Sequence, residues 1–266
     1  MARLFLVLVL FATACVTPTR ARREVKAGER LLTLVTWNVN FGLANAPRSY
    51  EQLEEATRDA DLVLLQETNH AWQVNVARGL AERFPHQRWF DDAAAGGQAV
   101  LSRRPFRVRQ VIESPSGWFP AVVLEAETSL GPVQVLNVHL HPPVSESGSF
   151  VSGVLSTGPV RRDELQTYVT ALAPNVPTLV IGDFNETRSG DALTWLEGQG
   201  FKSALPEFAP AAPTWHWPVG PFELKAQLDH VVYGPGLEPI DVQVLPLGQS
   251  DHFPVRARLV TSTGNR

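Results

Sequence analysis

The chain has 266 residues, 44% hydrophobic and 19% charged, a globular composition that excludes disorder, collagen and coiled coil as descriptions of the whole. Its single Cys excludes a disulfide framework and a cysteine-built zinc site. A formal net charge of -4 argues against a protein held to nucleic acid by bulk charge, though not against a nuclease that only visits its substrate.

The first residues, MARLFLVLVLFATAC, carry a basic Arg3, an apolar run from Leu4, and small residues Ala12, Thr13 and Ala14 before Cys15. This reads as a secretory leader over residues 1–14. An apolar run of about ten residues is too short for a transmembrane helix, which needs about 20. Ala12-Thr13-Ala14 fits an A-x-A cleavage site, while small residues directly before a Cys match a bacterial lipobox, apart from Ala12 where Leu is usual. The lipobox is favoured because the only Cys stands where a lipoprotein carries its acyl chain. The expectation is an exported lipoprotein anchored to a membrane through Cys15, the alternative being a plain periplasmic or secreted protein. Residues 15–30, polar and basic without periodicity, read as a tether.

One domain is expected over residues 31–262. Leu31–Val39 reads as a buried strand, Tyr50–Arg58 as a helix, Asp61–Gln66 as a second strand, and His70–Phe84 as a helix stopped by Pro85. Gln98–Ser102, Phe106–Ile112, Ala121–Ala126 and Val133–Leu140 are strand-like. Arg161–Leu172 is helical, Thr178–Ile181 a short buried strand, Asp191–Glu197 a short helix, and three strands follow around Val231, Val242 and Val255. More than half of the strands follow other strands through turns, which predicts an α+β fold of packed sheets. Residues Pro142–Pro159 and Leu205–Pro221 exceed ordinary connections and read as functional loops.

Polar residues recur where apolar strands end: Asn38, Glu67, His139, Asp183, Asn185, Asp229, Asp251 and His252. Singly, each is a turn former or a surface residue; as a set at the ends of core strands they mark a site. Four carboxylates in one pocket repel one another unless a cation neutralises them. Oxygen donors without thiolate favour Mg2+ or Mn2+. An extended Asp183-Phe184-Asn185 would put acid and amide on one face and Phe184 into the core. Together these residues point to metal-assisted hydrolysis of a phosphoester by water.

The ordered series WNVN, LQET, AVLSRRP, NVHLHP, GDFN, QLDHVVY and SDHFPV, spanning Thr33 to Leu259, resembles the endonuclease/exonuclease/phosphatase superfamily. The resemblance implies a four-layer α/β sandwich of two mostly antiparallel sheets flanked by helices. It also implies metal residues Asn38, Glu67 and Asp251, with Asp183 preparing the attacking water and Asn185 positioning water and phosphate. His139 and His252 would contact phosphate, and Asp229 would orient His252. Asn40 and Gln227 depart from common family residues. Arg103 and Arg104 belong to a family turn with a structural role, and His141 and His230 face elsewhere. A monomeric nuclease-type phosphodiesterase is the first expectation, with Arg161, Arg162, Trp118, Trp215 and Trp217 as strand-holding candidates. A sphingomyelinase-like or phosphoinositide-directed enzyme is the alternative, favoured by the same tryptophans beside an acylated Cys15. A non-catalytic binding protein ranks third.

Overall fold

The computed structural model describes residues 19–90, 94–144, 153 and 156–262. The expected leader and Cys15, and much of the 142–159 loop, lie outside the described residues. In β1 (Leu32–Asn38), Leu32 and Leu34 point to one side and Val35 and Trp37 to the other. Both sides are apolar because both are covered. β2 (Leu62–Thr68), β7 (Gly131–His139) and β8 (Thr178–Asp183) repeat this split. One set of side chains fills the interior between two sheets. The other packs beneath α1 (Ser49–Ala56) and α2 (His70–Val76) on one outer face, and beneath α3 (Gly158–Val169) and α4 (Asp191–Gly198) on the other. These are the four layers expected.

The remaining strands are β3 (His86–Phe90), β4 (Gly97–Ser102), β5 (Phe106–Ile112), β6 (Ala121–Thr128), β9 (Lys202–Ser203), β10 (Trp215–Val219), β11 (Phe222–Ala226), β12 (Asp229–Tyr233), β13 (Leu237–Val244) and β14 (Val255–Thr261). Their sheet orders are β13-β14-β1-β2-β4-β3 and β5-β6-β7-β8-β12-β9, with β10-β11 a separate two-stranded ribbon. Among the described residues, only β1–β2 and β7–β8 pair in parallel, each joined through a crossover containing a helix, α1 or α3.

Register places the chemistry. Asn38 pairs with Gln66, His139 with Asp183, and Asp183 with Asp229. Period-two alternation keeps Asn38, His139, Asp183 and Asp229 on the same interior face as Leu34, Val135, Ile181 and Val231. The apolar interior between the sheets therefore ends, at one edge, in a polar layer.

Three sequence expectations shift. The helix expected over His70–Phe84 stops at Val76 and gives way to turns, and the following edge strand β3 was not foreseen. The loop Leu205–Pro221 contains a short helix, α5 (Leu205–Phe208), and strand β10. Within the expected tether, the Arg23 N–H donates to the Ile240 carbonyl at 3.1 Å, and the Arg20 guanidinium donates to Glu207 and Glu238 at 3.4 and 2.6 Å. These contacts tie that part of residues 15–30 to β13 and α5.

Candidate active site

Glu67 does not follow the alternation of β2; it is presented by a bulge. The β2–β4 register shifts between Gln66 and Thr68, and Glu67 has φ 55, a left-handed conformation uncommon outside glycine. Thr68 pairs with Gly97, where a Cβ would collide with the Thr68 carbonyl oxygen, so the bulge depends on glycine opposite it. The Asn38 amide joins the two sheets here, donating to Glu67 Oε1 at 2.9 Å and to Asp183 Oδ2 at 3.1 Å. Burial pushes the Glu67 carboxyl above the usual carboxylate range, against the Asn38 hydrogen bond that lowers it.

Asp183 Oδ2 lies between two imidazoles, 3.6 Å from His139 Nε2 and 3.5 Å from His252 Nε2. Its Oδ1 accepts the Asn185 N–H at 2.8 Å. Burial raises its proton affinity, and the facing His252 opposes that. His252 Nδ1 is 2.8 Å from Asp229 Oδ2. Burial alone would lower the His252 pKa, but the Asp229 and Asp183 carboxylates override it and hold the imidazole at about 10. His139 goes the other way. Stacked on Phe119 with ring centroids 3.8 Å apart, it is brought down to about 4 by burial despite Asp183. With Nδ1 facing the Ala95 carbonyl at 3.3 Å, its Nε2 faces the carboxylates. The site thus pairs one cationic histidine with one neutral histidine across a single carboxylate.

Asp251 is held from both sides, its Oδ1 by Asn40 Nδ2 and its Oδ2 by Trp215 Nε1, each at 3.1 Å. Trp215, a strand-stacking candidate by sequence, uses its indole N–H to orient the Asp251 carboxylate. Asn185 has φ 50, so the chain turns there and does not remain extended as expected, while Phe184 does enter the core. The Asn185 amide donates to the Leu140 carbonyl at 2.9 Å. Beneath the site, Gln66 Nε2 donates to Asn137 Oδ1 at 2.7 Å across the sheet interface. That bridge was missed in the sequence, although both residues fall on the same alternating face as the expected site residues.

Other candidates fall outside. Arg161 is buried, paired with Glu186 at 3.2 Å and donating to the His141 carbonyl at 3.3 Å, so it props the end of β7 and cannot grip a strand. Arg103 donates to the Ala60 and Arg58 carbonyls, the structural role expected, and Gln227 clasps the Ala209 and Ala212 carbonyls. His141 packs edge-on to Trp118. His230 lies on the outer face, its Nδ1 3.1 Å from Ser203 Oγ and its Nε2 3.0 Å from the Glu186 carbonyl.

Burial brings the His230 pKa from 6.5 to about 4. The unfolded chain therefore takes up this proton first, and the protein is expected to lose about 3 kcal/mol as pH falls from 6.5 to 4. Denaturant unfolding of wild type and His230→Asn at neutral pH and near pH 5 checks this. The variant should show the shallower decline, and equal slopes would contradict it.

The cavity over these groups has a volume of about 620 Å3 and is lined by Glu67, His139, Asp183, Asn185, Asp251 and His252 on its floor. Trp118, Phe119, Pro142, Trp217 and Leu224 are among its apolar walls. Asp183, Asp229 and His252 bring three ligand-type atoms within 4.8 Å of one another, but a cationic His252 has no lone pair to give a metal, which leaves the other carboxylates of the cavity as donors. The donor set fits a hard divalent cation: Glu67, Asp183 and Asp251 line one cavity whose described lining includes no Lys or Arg.

Comparison with known proteins agrees. Solved structures share the fold: an endonuclease/exonuclease/phosphatase from Beutenbergia cavernae is 19% identical with a TM-score of 0.70, the match covering 88% of this chain and 72% of that one. TDP2 from D. rerio, complexed with a single-strand DNA product, is 18% identical with a TM-score of 0.62, covering 86% and 98%. ANGEL2, described as a 2',3'-cyclic phosphatase, is 13% identical with a TM-score of 0.65, covering 90% and 98%. No curated protein matches the sequence. The profile of the Endonuclease/Exonuclease/phosphatase family matches residues 35–252, and the chain belongs to that family of phosphoester hydrolases, which are generally dependent on a divalent metal.

Proposed function

We propose that the protein is an exported phosphodiesterase that hydrolyses its substrate with an activated water. The observation carrying this reading is Asp183 Oδ2, a buried carboxylate oxygen between His139 and His252 with Glu67 nearby. Asp183 orients the water and accepts its proton. The cationic His252 neutralises a phosphate oxygen and shares in proton transfer, while Asp229 fixes its tautomer and tilt. The Asn185 amide orients the phosphate, and neutral His139 lies beside it with Nε2 free to accept a proton. Oxygen from water bonds to phosphorus as Asp183 takes the water proton, the ester P–O bond breaks, and the departing alkoxide takes a proton from His252. Glu67 with Asp251, and Asn38 beside them, would hold Mg2+ or Mn2+. When bound, the cation supplies charge neutralisation and Lewis acidity at the phosphate.

Chelator-treated protein resupplied with Mg2+ or Mn2+ should regain hydrolysis of a bis-aryl phosphodiester. Hydrolysis that survives chelation would contradict the metal assignment, and no hydrolysis with either ion would favour the binding-protein reading. A nucleic-acid strand finds support in the DNA-bound TDP2 relative. The apolar cavity walls support a lipid-like ester, and they carry more weight because Arg161 is buried.

Export through a lipidated Cys15 is supported by the apolar run ending in small residues before the only Cys. Among the described residues, no helix is long and apolar enough to cross a membrane. In a bacterial host, labelling with a palmitate analogue should be lost in Cys15→Ser; unlabelled wild-type protein would sink the anchor.

A further inference from the structure

The β10–β11 ribbon stands outside both large sheets, and its register sorts its side chains by chemistry. Trp217 pairs with Leu224 and Val219 with Phe222 around a turn at Gly220-Pro221, so all four side chains share one face. The opposite face is polar and internally paired: Glu223 lies 2.9 Å from His216 Nδ1 and 2.7 Å from Lys225 Nζ. The apolar face is not turned to the core. Trp217 is 49% exposed, Val219 48%, Phe222 69% and Leu224 37%. Trp217, Val219 and Leu224 nevertheless line the same cavity as Asp183 and His252. Trp118, 46% exposed, lines the same cavity.

Charge points the same way. A nucleic-acid strand presents further phosphates on either side of the scissile one, and these need cationic side chains. No Lys or Arg lines the described cavity. Lys225 belongs to the ribbon's other face, Arg161 is spent on Glu186, and Arg162, exposed beside Asp163, is not among the residues lining the cavity. The sequence from Pro142 to Pro159 contains no basic residue and one Glu. An uncharged apolar group, by contrast, gains by leaving water for this surface. The volume of about 620 Å3 falls within the range of about 300–1,000 Å3 typical of organic-ligand sites.

We infer that the apolar face of the β10–β11 ribbon, with Trp118, is the specificity subsite for a single phosphoester molecule bearing an uncharged alkyl or aryl substituent. The phosphate sits at Asp183 and His252 and the substituent runs along Trp217 and Leu224. This rests on the proposed hydrolase function and names its substrate class. The occupant is one ester molecule entering the cavity, not a bilayer and not a second copy of the chain.

The test is a homologous series of alkyl p-nitrophenyl phosphodiesters, assayed below the concentration at which they aggregate. For the wild type, kcat/KM should rise by up to about fourfold per added methylene over the first few carbons. In Trp217→Ser and in Leu224→Ser the ratio between the longest and shortest esters should fall toward one, with thermal melting confirming that each variant folds. A flat series in the wild type overturns the inference. So does an oligonucleotide hydrolysed faster than every ester, or a rate gain confined to esters presented in phosphatidylcholine vesicles. A gain that vanishes on dilution together with a drop in sedimentation coefficient assigns the face to a second copy and overturns it as well. Should no ester be hydrolysed, the hydrolase reading fails separately, and tryptophan-fluorescence titration with alkyl phosphonates still decides the subsite. Binding that tightens with chain length supports it; chain-independent binding refutes it.

Discussion

Asp183→Asn is expected to lower kcat by about 10^3-fold or more and to leave the protein close to the wild type in stability, relief of the buried carboxylate offsetting the lost Asn38 hydrogen bond. Both effects follow from the same environment. Asp183 is 1% exposed, and burial raises its proton affinity, so ionising it in the folded protein costs stability. Asn keeps an oxygen to accept the Asn185 N–H but cannot accept a proton from water. A site carboxylate held against its own stability is the signature of function traded for stability. Steady-state kinetics and thermal melting on the same preparation check this. A variant that loses activity and melts well below the wild type would make Asp183 a structural residue.

The second large effect is at Asp229. Asp229→Asn is expected to lower kcat by about 10^2- to 10^4-fold, although Asp229 is fully buried and reaches the reacting groups through His252 Nδ1. Asp229 and His252 form one unit, so the double variant Asp229→Asn/His252→Ala should be no slower than His252→Ala alone. Multiplying losses would show that Asp229 acts independently. An NMR titration of metal-free protein supplies a readout that a merely structural role would not move. His252 should titrate near 10 in the wild type and clearly lower in Asp229→Asn. Because its folded value is raised above 6.5, the stabilisation from this pair is complete below 6.5 and is lost as pH rises toward 10. Removing Asp229 moves that loss to lower pH.

The layers were legible because period-two alternation is a local signal: Leu32, Leu34 and Asn38 share a face whatever the rest of the chain does. The site residues were legible because motif residues at strand ends converge once the parallel pairs align their carboxyl ends. What escaped depends on partners distant in sequence. β3 has no fully buried residue and exists by pairing with β4. The apolar pattern over His70–Phe84 suits a helix, yet turns replace it after Val76. Arg161 looked like a surface cation; its burial depends on Glu186, 25 residues away. The β10–β11 ribbon did carry a signal, since Trp215, Trp217 and Val219 alternate with His216 and Pro218 ahead of Gly220, but the prolines around it read as a loop. Glu67 needs a bulge that only the Thr68–Gly97 pairing reveals.

The most direct test of the mechanism is hydrolysis of a phosphodiester in H2 18O with Mn2+, run in parallel with wild type and Asp183→Asn. Attack by water at phosphorus predicts one 18O in the phosphoryl product, none in the released alcohol, and near-complete loss of turnover in the variant. An 18O label in the alcohol, or a variant as fast as the wild type, would contradict it.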